Sequence, residues 1–223
     1  MVEHDVLLVD YFLAIHQIIT RGVNVSLDRV DDFIQNGFSE DALKKGYLNY
    51  IRALTLMLDA HHKTEDDVAF PYFLEALQNT HFEWLKQDHD WITGFLEELE
   101  PVLVSLESDA PADNDLSVLK DILVKIEDRW SQHIELEEEE FINLIDDLST
   151  PEEMSQLLAK FADYSNGLLI PHEIALPFML YNLEPLARLI IEKTHPVDWF
   201  SPVNSPEWVE KWQSMKPFFL GEG

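Results

Sequence analysis

Residues 43–68 read LKKGYLNYIRALTLMLDAHHKTEDDV, and this stretch decides the fold. Apolar residues recur at Leu43, Tyr47, Ile51, Leu54 and Leu58, and the same three- or four-residue step continues through His61, Glu65 and Val68. That period is the α-helical one and predicts a helix with one face turned inward. Residues four apart share a helix face, with Cβ atoms roughly 5–6 Å apart. An imidazole and a carboxylate therefore stand together where core residues belong.

Three more segments repeat the pattern. Val9, Phe12, His16 and Ile19 form one stripe, and Phe82, Leu85, His89, Ile92, Leu96, Leu99 and Leu103 form another. The third runs Leu119, Ile122, Ile126, Trp130, His133, Glu137, Phe141, Leu144, Leu148. Each carries a histidine in a core position, and His133 is followed by Glu137 as His61 is by Glu65. A single such histidine is commonly a hydrogen-bonded core residue. His16, His61, His89 and His133 on four helices, with Glu65 and Glu137, are not explained that way. Burying so many ionisable groups without partners is costly, and a bound metal pair removes that cost.

Helical phase separates these residues from their neighbours. His62 lies about 100° round the helix from His61 and so falls off the stripe. Glu137 is in step with His133, whereas Glu135, Glu138, Glu139 and Glu140 read as a solvated face. Leu54, Leu58, Phe82 and Trp130 read as core; Trp130, one turn from His133, is read either as a wall of the site or, preferably, as packing. His4, His81 and His195 read as ordinary surface histidines.

Caps and breakers set the expected elements. The first helix spans about residues 4–21 and ends near Gly22, followed by a connection broken at Asn36 and Gly37. The second starts after Ser39 as N-cap and runs to about Phe70, where Pro71 ends or kinks it. Thr80 and Glu83 have capping-box spacing and open the third, which reaches about Ser108. After a loop at Asp109–Asp115, the fourth covers about Leu116 to Leu148. Thr150, Pro151 and Glu153 give a strong helix start, and Ser205-Pro206-Glu207 opens a last short helix. The expected fold is all-α: a four-helix up-down bundle over residues 1–149. Residues 150–223 are expected as shorter helices, broken by Pro171, Pro177, Pro185 and Pro196, packed on the bundle as part of the same globular unit.

Composition narrows the chemistry. Asp and Glu number 43 against 15 Lys and Arg, a formal charge of −28, which argues against nucleic acid and anionic membrane surfaces as partners. The chain has no cysteine, so thiolate sites and disulfides are excluded, and a metal must be held by nitrogen and oxygen. Acidic Glu3, Asp5 and Asp10 near the N-terminus argue against a signal peptide, and no apolar run is long enough to span a membrane. A cytoplasmic location is the resulting expectation.

The motif set resembles the hemerythrin-like, or HHE cation-binding, family over about residues 4–149. His61-His62-Lys63-Thr64-Glu65 with Phe70-Pro71 is similar to that family's first His–Glu motif, and His133-Ile134-Glu135-Leu136-Glu137 with Phe141 to its second. Asp88-His89-Asp90 and Ala14-Ile15-His16 resemble its histidines of the third and first helices. The resemblance implies a bundle around two non-heme iron ions, with carboxylates able to bridge them. It carries over His16, His61, Glu65, His89, His133 and Glu137 as ligands. Two departures separate the chain from the oxygen carriers. They have a further histidine where Leu85 stands, and they separate the last histidine and acid by five residues rather than four. His172, in the stretch PHEIALPFML, is read either as a seventh ligand near the position left by Leu85 or, preferably, as a structural histidine.

The leading functional expectation is a di-iron protein binding or sensing O2, peroxide, nitric oxide or iron. Manganese and zinc suit the same donors. A peroxidase-like or oxygenase di-iron enzyme is the alternative, its sign a substrate channel built with the C-terminal segment. A regulatory module whose order depends on metal loading is a further one.

Overall fold

The computed structural model of the chain describes residues 8–77, 81–108, 110–148, 150–195 and 205–220, with backbone alone at 74–77, 81–82 and 140–148. Every regular element among them is helical. Helix α1 spans Leu8–Asn36, α2 Asp41–Thr64, α3 Phe70–Leu77, α4 His81–Glu107 and α5 Asp115–Leu148. The C-terminal part supplies α6 Pro151–Leu168, α7 His172–Tyr181, α8 Pro185–Thr194 and α9 Pro206–Met215. Helix α1 packs on α2 and α5, and α4 packs on the other side of both, so these helices enclose one shared interior. None of the described helices is long and apolar enough to cross a membrane.

Gly22 does not end α1, which continues to Asn36 and stops at Gly37. Gly37 has φ +69° and its N–H bonds the Phe33 carbonyl, the left-handed cap that glycine allows. Gly22 serves packing instead: a Cβ there would lie 2.6 Å from Phe178 Cζ and 2.9 Å from Leu54 Cδ1. A glycine inside a helix admits a neighbouring ring as readily as it ends the helix, and only the neighbours decide.

The start of α2 also differs from expectation. Its N-cap is Glu40, which makes no side-chain cap bond, rather than Ser39. At its other end the helix neither stops nor breaks at Pro71. A π-helical turn at Glu65–Ala69 intervenes, with the Phe70 N–H bonding the Glu65 carbonyl, and α3 then runs through Pro71. A proline cannot supply an N–H and its ring crowds the preceding turn, and widening that turn accommodates both. The Tyr164 hydroxyl of α6 donates to Asp67 in this turn.

The remaining caps follow the sequence closely. Thr150 and Glu153 form a reciprocal capping box with Pro151 at the first helical position. Ser205 caps α9 by accepting from the Trp208 N–H. Pro177 does not break its segment but sits inside α7, whose run Ala175–Leu180 is buried and held by packing. Thr80, Asp109 and Pro196 lie outside the described residues.

Helices α6, α7 and α9 all pack on α2, and α6 and α8 on α1. Helices α2 and α9 come close together where Gly46 faces the Ser214 backbone: a Cβ would lie 2.0 Å from the Ser214 carbonyl oxygen. As a result α2 is buried almost all round, with Tyr47, Leu48, Asn49, Tyr50 and Ile51 consecutively inside.

Candidate metal centre

The four stripes converge. His16 comes from α1, His61 from α2, Glu65 from the first position of the π turn, His89 from α4, and His133 and Glu137 from α5. All six are buried, none more than 7% exposed. Leu85, Leu54, Leu58 and Trp130 are also buried, as core. The side chains of Phe82 and Phe141 lie outside the described residues.

Each glutamate stands between two histidines. Glu65 Oε1 lies 3.2 Å from His61 Nε2 and its Oε2 3.3 Å from His89 Nε2. Glu137 Oε2 lies 3.2 Å from His16 Nε2 and 3.5 Å from His133 Nε2. The π turn contributes to this symmetry, because it carries Glu65 at its start and Asp66 next to it, both facing His89. Trp130 closes one side, edge-on to His16 and His61 with ring centroids 5.7 and 5.5 Å away, and its Nε1–H donates to Thr20 Oγ1.

A further set of acids holds the outer ring nitrogens. His16 Nδ1 is 2.9 Å from Glu138 Oε1, and His89 Nδ1 is 3.1 Å from Asp66 Oδ1. Asp88, gripped by Arg129 at 3.1 Å, approaches His133 Nδ1 at 3.9 Å. Carboxylates on the far nitrogen fix an imidazole's tautomer and orientation and leave its near nitrogen free to bind.

Crowding splits the protonation states. Burial pushes Glu65 well above the usual carboxylate range, and the nearby Glu137 charge adds to it. Burial works the same way on Glu137, but His16, His133 and His61 outweigh it and hold that carboxyl below the usual range. Burial also opposes a charge on His16, yet Glu137 and Glu138 overcome it and raise the imidazole to about 9. His133 is pushed down to about 3 by burial, and His61 well below its ordinary value by burial and the His16 charge.

Among the described residues the inner atoms find no hydrogen-bond partner: His16 Nε2, His61 Nε2, His89 Nε2, His133 Nε2, and all four carboxylate oxygens of Glu65 and Glu137. Orphaned polar atoms in a core each cost about 1–3 kcal/mol. A cation at the centre satisfies them together. The donor atoms of His16, His61, Glu65 and Glu137 lie within 4.8 Å of one another, as do those of Glu65, His89 and His133. Nitrogen and oxygen donors of this kind fit iron, manganese or zinc.

Three neighbours depart from the sequence reading. His62 lies off the stripe yet is 2% exposed, because the rings of His89, Trp130 and His133 pack over it while the adjacent Lys63 stays exposed. Its ring stacks on His89 with centroids 4.2 Å apart, and its donor atom groups within 4.8 Å of those of His61 and His133. The doubled histidine was the one signal available, and helical phase argued against it. Glu138 is half-buried against His16 rather than part of the solvated face, while Glu135 and Glu139 are exposed. His195 is 4% exposed and pairs with the Tyr11 hydroxyl at 3.3 Å, so it is not a surface residue. His172 stays outside the cluster, its Nε2 donating to the Asn166 carbonyl at 3.2 Å. His4 and the side chain of His81 lie outside the described residues.

Three openings touch the cluster. One is a cavity of about 30 Å³ lined by His61, Glu65, Tyr11, Phe12, Ile15 and Phe161. Another is a cleft of about 680 Å³ that reaches His62 and Asp66 and is walled by Ile170, Pro171 and Ile174. The third, of about 480 Å³, lies against His16, Thr20 and Glu138.

The family model of the hemerythrin HHE cation-binding domain matches residues 7–145. Neither a curated protein nor a solved structure matches the chain significantly.

Proposed function

Because the chain belongs to the hemerythrin HHE cation-binding domain family, we propose that it is a non-heme di-iron protein that binds or senses O2, peroxide, nitric oxide or iron itself. In this reading His16, His61, Glu65, His89, His133 and Glu137 would hold the iron, with Glu65 and Glu137 each standing between two of the histidines. The helices α1, α2, α4 and α5 then form an up-down four-helix bundle of residues 1–149, and residues 150–223 are an extension of the same globular unit.

The observation that carries the reading is the pair of buried glutamates, each between two histidines, with every inner donor atom lacking a hydrogen-bond partner. Bound iron supplies redox and Lewis-acid chemistry. The chain holds the ligands rigid, orients them through Glu138 and Asp66, and excludes water with Trp130 and the apolar stripes. The 30 Å³ cavity beside His61 and Glu65 supports a very small ligand, since about one water-sized molecule needs 10–15 Å³. The charge of −28 disfavours nucleic acid and membranes as partners, and the cytoplasm is the proposed location.

A second reading, a di-iron peroxidase-like or oxygenase enzyme, is favoured by the larger cleft. It meets the cluster at His62 and Asp66 and borrows a wall from the C-terminal extension.

Anaerobic loading with Fe(II), followed by elemental analysis and optical spectra before and after air and peroxide, tests both. The expected result is about two iron ions per chain, with near-ultraviolet absorption appearing on oxidation. Consistently one ion or none overturns the di-iron reading. Full recovery of the starting spectrum on repeated deoxygenation makes the protein an oxygen carrier instead. Catalytic consumption of peroxide, abolished by His133→Ala, selects the enzyme.

A further inference from the structure

His62 has a chemical problem that the six-ligand reading leaves unsolved. Its imidazole is 2% exposed, and neither Nδ1 nor Nε2 has a hydrogen-bond partner. A neutral imidazole carries one donor and one acceptor, and leaving both unmet in a core costs more than an apolar residue of similar size would. Every other cluster histidine has a nearby carboxylate oxygen on at least one nitrogen: Glu137 and Glu138 for His16, Glu65 for His61, Glu65 and Asp66 for His89, Glu137 for His133. Among the described residues His62 has none, and rings surround it: His89 at 4.2 Å, His61 at 5.4 Å, His133 at 5.5 Å and Trp130 at 6.1 Å.

The donor sets are unequal without it. His16, His61, Glu65 and Glu137 make a group of four, whereas Glu65, His89 and His133 make a group of three. The donor atom of His62 groups within 4.8 Å with that of His61, from the larger set, and that of His133, from the smaller, and its ring stacks on His89 of the smaller set at 4.2 Å, which turns it toward the metal position with fewer donors. We propose that His62 is a seventh metal ligand, serving the metal position that His133 serves, in a role that neither His172 nor any residue at position 85 fills. Ligation satisfies one ring nitrogen, and stacking on His89 holds the ring in place. The proposal rests on the metal-centre reading above.

The test compares the full-length wild type with His62→Leu and His62→Ala, each loaded anaerobically with Fe(II) and, separately, with Co(II). Titration calorimetry and X-ray absorption are the readouts. In the wild type two ions bind. In both variants the weaker of the two binding events is expected to lose at least tenfold in affinity, and the absorption spectrum to lose one imidazole per metal pair. Added free imidazole is expected to restore affinity to His62→Ala, which contains the vacated space, and not to His62→Leu, which fills it. Metal-free His62→Leu is expected to melt no lower than metal-free wild type, because it removes two orphaned nitrogens; a packing role for the ring predicts a lower melting temperature instead. Unchanged affinity and imidazole count in both variants overturn the proposal while leaving the metal centre standing. Failure of the wild type to bind any metal overturns the metal centre and the seventh ligand together.

Discussion

The Nδ1 of His16 lies 2.9 Å from Oε1 of Glu138, a residue of the acidic run that turns back toward the bundle while Glu135 and Glu139 stay exposed. Glu138 thereby fixes the His16 ring with its other nitrogen toward Glu137. Losing such an outer partner lowers metal affinity by roughly 10–100-fold. Glu138→Ala is expected to show that loss with stoichiometry retained at saturating metal, and Glu139→Ala to show none. Metal titration with a competing chelator makes the measurement; equal losses in the two variants would falsify the assignment.

Metal removal is expected to lower the melting temperature. The metal-free centre keeps its orphaned atoms and a crowded carboxyl pair, in which burial and the Glu137 charge push Glu65 well above the usual carboxylate range. A ligand at about a hundred times its dissociation constant adds about 2.7 kcal/mol, which for a chain of this length is a rise of roughly 5–10 °C. Calorimetric scans with and without saturating iron decide it, and coincident scans sink the idea.

Gly46→Ala is expected to loosen the C-terminal helices from α2. The added methyl meets backbone at 2.0 Å and 2.8 Å, the oxygen and carbon of the Ser214 carbonyl, and no side-chain rotation relieves that. Overpacking of this kind costs about 1–3 kcal/mol, or a melting temperature lower by roughly 3–10 °C. The site, about 22 Å further along the helix axis, is expected to keep its metal stoichiometry. An unchanged melting temperature would mean that α9 does not sit this close.

Acid sensitivity is expected from His195. Burial pushes it from 6.5 down to about 3, so between those values the unfolded chain binds a proton that the folded chain refuses. Its contribution is therefore intact above pH 6.5 and shrinks as pH falls, by about 2 kcal/mol near pH 5. His195→Gln, which keeps a polar partner for Tyr11 without the titration, is expected to lose less stability between pH 7 and pH 5 than wild type. Denaturant titrations at both pH values measure the difference, and parallel losses in the two proteins refute it.

Much of the cluster is legible in one dimension. His16, His61, Glu65, His89, His133 and Glu137 stand in step with apolar neighbours three or four residues away, and a helix converts that spacing into a shared face whatever surrounds it. The convergence of the six is then visible in the structure, where each glutamate meets two histidines. The caps at Thr150 and Ser205 were legible for the same reason, since a side chain bonding a backbone N–H three residues on is a local event.

What escaped the sequence was set by other helices. Gly22 reads as a stop because glycine weakens a helix, but the ring of Phe178, far along the chain, is what requires it. Pro71 reads as an end or a kink, and the outcome is neither a stop nor a plain break: the turn before it widens and carries Glu65 and Asp66 onto His89. Ser39 lost the cap of α2 to Glu40.

The sequence by itself determined the all-helical class, the phase of each stripe and the chemistry of the six inward groups, because these follow from backbone periodicity and residue type. Tertiary structure alone decided the burial of His62 and His195 and the turn of Glu138 toward His16. Periodicity assigns each helix one inner face, whereas α2 is covered by α1, α4, α6, α7 and α9 together. A residue 100° off the stripe is exposed only if nothing packs there, and that depends on other helices, as when His89 of α4 and Trp130 and His133 of α5 pack around His62.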